Sequence, residues 1–155
     1  LFLASIVYHA TSGAVKLTCR KVDHIAILFL IAGSYTPVTL TLLYETSGVW
    51  ILTGVWSIAA VGFVFKIFYT GRFEILSLIM YLGMGWFILL DAQAVWELFS
   101  TNAFIFLILG GFCYTIGVFF YRWKAYKEAH AIWHVWVLAG ALSHAFMINE
   151  IVIIS

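Results

Sequence analysis

The chain has 155 residues, of which 65% are hydrophobic, 19% aromatic and 10% charged, with a formal net charge of +1. A water-soluble globule of this make-up would lack the polar residues to cover its surface, and the few charges offer no basic patch to nucleic acid. The reading is an all-α protein, a polytopic membrane helix bundle forming one domain over residues 1–155, with membrane lipids as its surroundings.

Residues 1–10 are apolar but cover only about 15 Å of helix, half of a hydrocarbon core. With Leu1 rather than Met at the start, they read as the tail of a helix preceded by at least one further segment, and no signal peptide can be judged from such a start. Five stretches long enough to span follow: 24–44, 48–69, 73–90, 102–121 and 130–150. About 20 apolar residues at 1.5 Å rise suffice for each. The breaks between them are short and polar, at 45–47, 70–72, 91–93 and 122–128, so neighbours in sequence are expected to run antiparallel. The third of these breaks reads as extending to Ser100, with Trp96 and Phe99 marking an interfacial stretch.

Numbering the turns alternately puts all eight basic residues on one side: Lys16, Arg20 and Lys21, then Lys66 and Arg72, then Arg122, Lys124 and Lys127. The positive-inside rule makes that side cytoplasmic. Glu45, Asp91, Glu97 and Glu150 mark the other face. Cys19 and Cys113 are expected at different depths beside a reducing cytosol, so no disulfide is expected.

Depth then selects the polar residues that share a layer. His9 ends the first partial helix on the basic side, Asp23 opens the next helix there, and His130 and His134 open the last one. An i, i+4 spacing points both imidazoles of the pair from one helix face. Three imidazoles with one position left open form the ligand pattern of a catalytic zinc, although copper, nickel and iron suit the same donors. Asp23 is left free to orient a metal-bound water or take its proton, and Ser5, one turn deeper than His9 on the same face, is placed to bond a ring or that water. The plainer alternative is three unrelated polar caps, with Asp23 capping its helix. His24 reads as facing lipid headgroups and is left out of the site. His144 stands about 15 Å beyond His134 by helix rise and reads as a buried hydrogen-bonding residue.

The remaining features read as architecture. Pro37 is expected to kink its helix, with Ser34 and Thr36 satisfying freed backbone groups. Gly83, Gly85, Gly110, Gly111 and Gly117 are expected to let helices approach closely. The seven tryptophans read as interfacial anchors or packing.

The runs Ser5-Ile-Val-Tyr-His9, Val22-Asp23-His24 through to Pro37, and His130-Ala-Ile-Trp-His134 through to Gly140, with His144 beyond, resemble the three motif blocks of the hemolysin III family. That family belongs to the progestin and adiponectin receptor group. The resemblance implies a seven-helix transmembrane fold, here without its first helix and about half of its second. It also implies a zinc site on His9, His130 and His134, with Ser5 and Asp23 matching the family's serine and aspartate, the latter near the zinc-bound water. Receptors of the group are similar to alkaline ceramidases in metal-site pattern, and some are linked to hydrolysis of ceramide-like amides.

Three functions are consistent with these readings. The first is an intramembrane zinc hydrolase of a lipid amide or ester, with a lipid-like substrate entering from the bilayer. The second is a receptor or regulatory protein in which zinc is structural. The third is the haemolytic or pore-forming activity of the family's name, which predicts a continuous polar stripe that the sequence does not supply. A transporter finds no internal repeat to support it. The short loops resemble the bacterial branch, so the expected location is a bacterial plasma membrane with the metal layer on the cytoplasmic side.

Overall fold

The computed structural model describes residues 1–123 and 128–154. Lys124 and Lys127, placed on the basic side above, lie outside the described residues. The described elements are α1 (Phe2–Ala10), α2 (Gly13–Leu40), α3 (Gly48–Tyr69), α4 (Glu74–Gly85), a 3₁₀ turn (Phe87–Asp91), α5 (Ala92–Leu98), α6 (Thr101–Arg122) and α7 (Ala129–Ile154), with no strand among the described residues. Among the described residues five helical stretches are long and apolar enough to cross a membrane: Gly13–Leu40, Gly48–Tyr69, Glu74–Leu98, Thr101–Arg122 and Ala129–Ile153. The all-helical bundle expected from composition is what the chain forms.

Side chains are distributed as lipid requires. A thin interior holds Leu28, Ala32, Val55, Ile51 and Met84, while Leu3, Ile79, Trp96 and Ile153 point outward, Trp96 at 73% exposure. Such an apolar exterior is tolerable only where the solvent is hydrocarbon, and helices satisfy every interior backbone group without help from that solvent. α2 is the hub: it packs on α1, α3, α4 and α7, while α6 and α7 form the most extensive pair.

Local signals account for the ends. Gly13 and Gly71 adopt φ of +67° and +84°, a region open to glycine at no steric cost, and they turn the chain into α2 and out of α3. Asp91 Oδ1 accepts from Ala94 N at 3.2 Å to cap α5, and Ser100 Oγ accepts from Ala103 N at 3.1 Å to cap α6, as side-chain oxygens do for orphan N–H groups. Gly48 is required where α2 hands over to α3, because a Cβ there would collide with the Thr39 carbonyl oxygen.

Several expectations are corrected. α2 begins at Gly13 instead of residue 24, because Lys and Arg are good helix formers and a 28-residue helix of about 42 Å extends past a 30 Å hydrocarbon core. Lys16, Arg20 and Lys21 therefore occupy its first turns instead of a loop, and Asp23 lies inside the helix instead of capping it. The stretch 73–90 breaks at Trp86 and continues through the 3₁₀ turn and α5 to Leu98. Of its interfacial pair, Trp96 is exposed but Phe99 is buried.

The helix continues through Pro37 to Leu40, and the Ser34 and Thr36 hydroxyls bond the Ile31 and Ala32 carbonyls, not the Gly33 carbonyl that a proline at 37 leaves free. Gly110, Gly111 and Gly117 do lie where a Cβ would press on a neighbouring side chain, but Gly83 and Gly85 have open space at that point. They are not contact glycines. Cys19 and Cys113 are free thiols.

Candidate metal centre

His9 sits in the last turn of the nine-residue α1, and His130 and His134 occupy successive turns at the start of α7. One ligand atom from each lies within 4.8 Å of the others. The ring centroids are 4.8 Å apart for His9 and His130, 5.7 Å for His9 and His134, and 4.9 Å for His130 and His134. His9 and His130 are exposed and His134 half-buried, so the group is open on one side.

The closest approach is informative. His9 Nε2 and His130 Nε2 stand 2.9 Å apart. Without a third partner, one nitrogen must donate and the other accept, since two lone pairs facing each other repel. A cation between them lets both rings present lone pairs. Two nitrogens on a tetrahedral zinc with bonds of about 2.0–2.1 Å are about 3.3 Å apart, within the range the three rings already span. Ser5 Oγ lies 3.3 Å from His134 Nε2. Ser5 is 4% exposed, and it contacts His134 across the α1–α7 boundary instead of His9 on its own helix.

Asp23 is 5% exposed, and its Oδ1 is buried without a hydrogen-bond partner. It has Ser5 and His9 as electrostatic neighbours but is not one of the three clustered ligands. A buried carboxylate oxygen without a donor is expensive, and three neutral imidazoles around a divalent cation leave two positive charges to offset. Each observation answers the other. The residues present therefore fit a metal with nitrogen ligands, and the donor set does not select zinc from copper, nickel or iron.

One cavity of about 140 Å³ is lined by Asp23 and His130 and also by His144. Those two histidines are separated by about 21 Å of helix rise, so the space runs deep along α7 between apolar walls that include Leu30, Leu82, Val118 and Val137. His144 Nε2 approaches the Leu107 carbonyl at 3.4 Å, and a Cβ at Gly110 would collide with the same ring. The hydrogen-bonding residue expected at His144 is half-buried instead of buried, and its ring meets a backbone carbonyl.

His24 is corrected. It lines the cavity, with its Nδ1 3.4 Å from Lys66 Nζ and its carbonyl accepting from Tyr81 Oη at 3.1 Å. Lys66 likewise does not flank a loop: it is 2% exposed in the last turn of α3 and donates to Ser77 Oγ at 2.6 Å. Sequence reasoning missed this pair. The signal was present, because the buried positions of α3, Ile51, Val55, Ala59, Gly62 and Lys66, follow helical periodicity. Arg20 and Glu74 pair at 3.3 Å, and Lys21 Nζ donates to the Ile67 carbonyl at 2.8 Å, which ties the start of α2 to the α3–α4 turn and gathers these basic residues at one end.

A family model described as haemolysin-III related matches residues 1–145. The chain is 42% identical to a protein of Bacillus subtilis called Hemolysin-3 homolog, over 96% of this chain and 70% of that one. It is 38% identical to Hemolysin-3 of Bacillus cereus, over 96% of this chain and 68% of that one. Human Monocyte to macrophage differentiation factor is 30% identical over 96% of this chain and 64% of its own length. No solved structure gives a significant match.

Proposed function

Because the chain belongs to the haemolysin-III-related family, an integral membrane protein by its five apolar spans, we propose that its three-histidine group serves metal-dependent hydrolysis of a lipid amide or ester. The single observation behind this reading is the pairing of a three-imidazole group with a buried, partly unpartnered carboxylate, His130 of the group and Asp23 lining the same apolar cavity.

His9, His130 and His134 would hold the ion, zinc in first place. A bound zinc supplies a water acidified towards neutrality and a Lewis acid for a carbonyl. Asp23, with one oxygen free of partners, accepts the proton released in attack and passes it to the leaving group. Ser5 fixes the His134 ring through the 3.3 Å contact, keeping one nitrogen in place. The apolar walls receive an acyl chain arriving from the bilayer, and the exposure of His9 and His130 admits water. The positive-inside rule assigns this layer to the cytoplasmic face, and the similarity to two Bacillus proteins supports a bacterial plasma membrane. A pore is less well supported, because the deep walls are mainly apolar and an ion path needs polar lining.

The test is elemental analysis of the detergent-purified protein, followed by release of fatty acid from ceramide-like amides and esters. Near-stoichiometric zinc and turnover are expected, with Asp23→Asn keeping the metal and losing turnover by about 10²–10⁴-fold. Zinc without any turnover would assign the protein to the receptor or regulatory reading, and a preparation that neither contains nor rebinds metal would overturn the site.

A further inference from the structure

Lys66 is the most deeply enclosed charge among the described residues, at 2% exposure. A lysine in the last turn of a spanning helix ordinarily extends its ammonium outward to the interface. Lys66 does the opposite, turning inward to Ser77 Oγ at 2.6 Å and to His24 Nδ1 at 3.4 Å, with the Tyr81 ring centroid 5.7 Å away. All of these partners are neutral or can be neutral. Among the described residues no carboxylate lies within 4.0 Å of its Nζ, and the nearby acid, Glu74, is engaged by Arg20 at 3.3 Å. A charge held at membrane depth without a counter-ion is expensive, so such groups mark functional sites by default.

The same cavity is lined by Lys66, His24 and Ser77 and by Leu78, Leu82 and Val118. An ammonium, a hydroxyl and an imidazole beside an apolar channel form a cradle for an oxyanion attached to a hydrocarbon tail. We propose that Lys66, with Ser77 and His24, is an anion-binding subsite that holds the carboxylate or phosphate head of a single-chain amphiphile whose tail lies in the cavity. The oxyanion supplies the counter-charge that Lys66 lacks, Ser77, whose Oγ accepts from Lys66, donates its hydroxyl hydrogen to the oxyanion, and the apolar walls select against the free inorganic anion. The subsite shares its cavity with Asp23 and His130 but stands on residues separate from the three-histidine group, so it does not depend on the metal or on hydrolysis.

The experiment uses metal-stripped full chain in phosphatidylcholine nanodiscs, so that no cation at the histidines can take the anion. Trp86 and Trp133 line the cavity and report bromine quenching. Binding of 11-bromoundecanoate is compared with that of 11-bromoundecanol in the wild type, Lys66→Met and Lys66→Arg, with inorganic phosphate as competitor. The wild type is expected to bind the acid at least about ten-fold more tightly than the alcohol, the scale of a hydrogen bond to a charged group. Lys66→Met should lose that preference by weakening the acid alone, and Lys66→Arg should keep most of it. Should Lys66→Met fail to fold, Ser77→Ala, which leaves the ammonium in place, is expected to weaken the acid several-fold without affecting the alcohol. Equal binding of acid and alcohol by the wild type, a preference that survives Lys66→Met, or one that Ser77→Ala leaves at the wild-type level, would overturn the subsite. Lys66-dependent binding of inorganic phosphate without binding of the bromo acid would overturn the amphiphile in favour of a free anion, and failure of phosphate to displace the bromo acid supports the amphiphile.

Discussion

α7 carries three histidines in two settings. His130 and His134 sit at its opening turns, accessible, with a third imidazole from α1 brought against them. His144 lies three to four turns deeper, fixed against the Leu107 carbonyl and under Gly110. All three rings have the same chemistry and ride the same helix. The partner decides the role: nitrogens that face other nitrogens are available to a cation, whereas a nitrogen that faces a backbone carbonyl is committed to packing.

The difference can be broken most forcefully at the outer pair. Replacing His130 and His134 together by alanine should abolish bound metal, read by elemental mass spectrometry, while His144→Asn should leave metal content at the wild-type level. If both variants lose metal equally, the two settings are not distinct. The next effect in size concerns the cover over His144. Gly110→Ala drives a methyl group into that ring and should cost about 1–3 kcal/mol in detergent unfolding, as overpacking does. Gly83→Ala enters open space and should be neutral or stabilising by up to about 1 kcal/mol, because alanine is the better helix former. The smallest effect is expected at Ser5→Ala, which removes the contact to His134 while leaving all three ligands. Metal affinity measured by chelator competition should fall about ten-fold, at the lower end of the range for groups that orient a ligand. An unchanged affinity would show that Ser5 acts only in packing.

The outer setting was visible in the sequence because one helical turn separates His130 from His134, and backbone geometry alone then places both rings on one face. α3 was visible in the same way: Gly48–Tyr69 is bounded by polar turns and long enough to span, so its limits follow from length. What escaped the sequence depends on which way a side chain turns. Lys66 reads as an interfacial flank until Ser77 and His24, from α4 and α2, are known to meet it. Asp23 reads as a cap because the basic residues before it resemble a loop, although Lys16, Arg20 and Lys21 continue the helix with their charges at one end. Gly83 and Gly85 look like contact glycines, yet their neighbours stand too far away for close packing to be the reason for them. Helix existence is a matter of local pattern, whereas inward and outward orientation is decided between helices.

His9 and His130 are 121 positions apart in the chain and 2.9 Å apart in space. Both Ser5 and His9 of α1 reach across to α7. An ion shared by these rings would therefore act as a clasp, closing nearly the whole described chain into a ring. Its occupancy would couple α1 to the first turns of α7, so that the group proposed for chemistry would also hold two helices distant in sequence together.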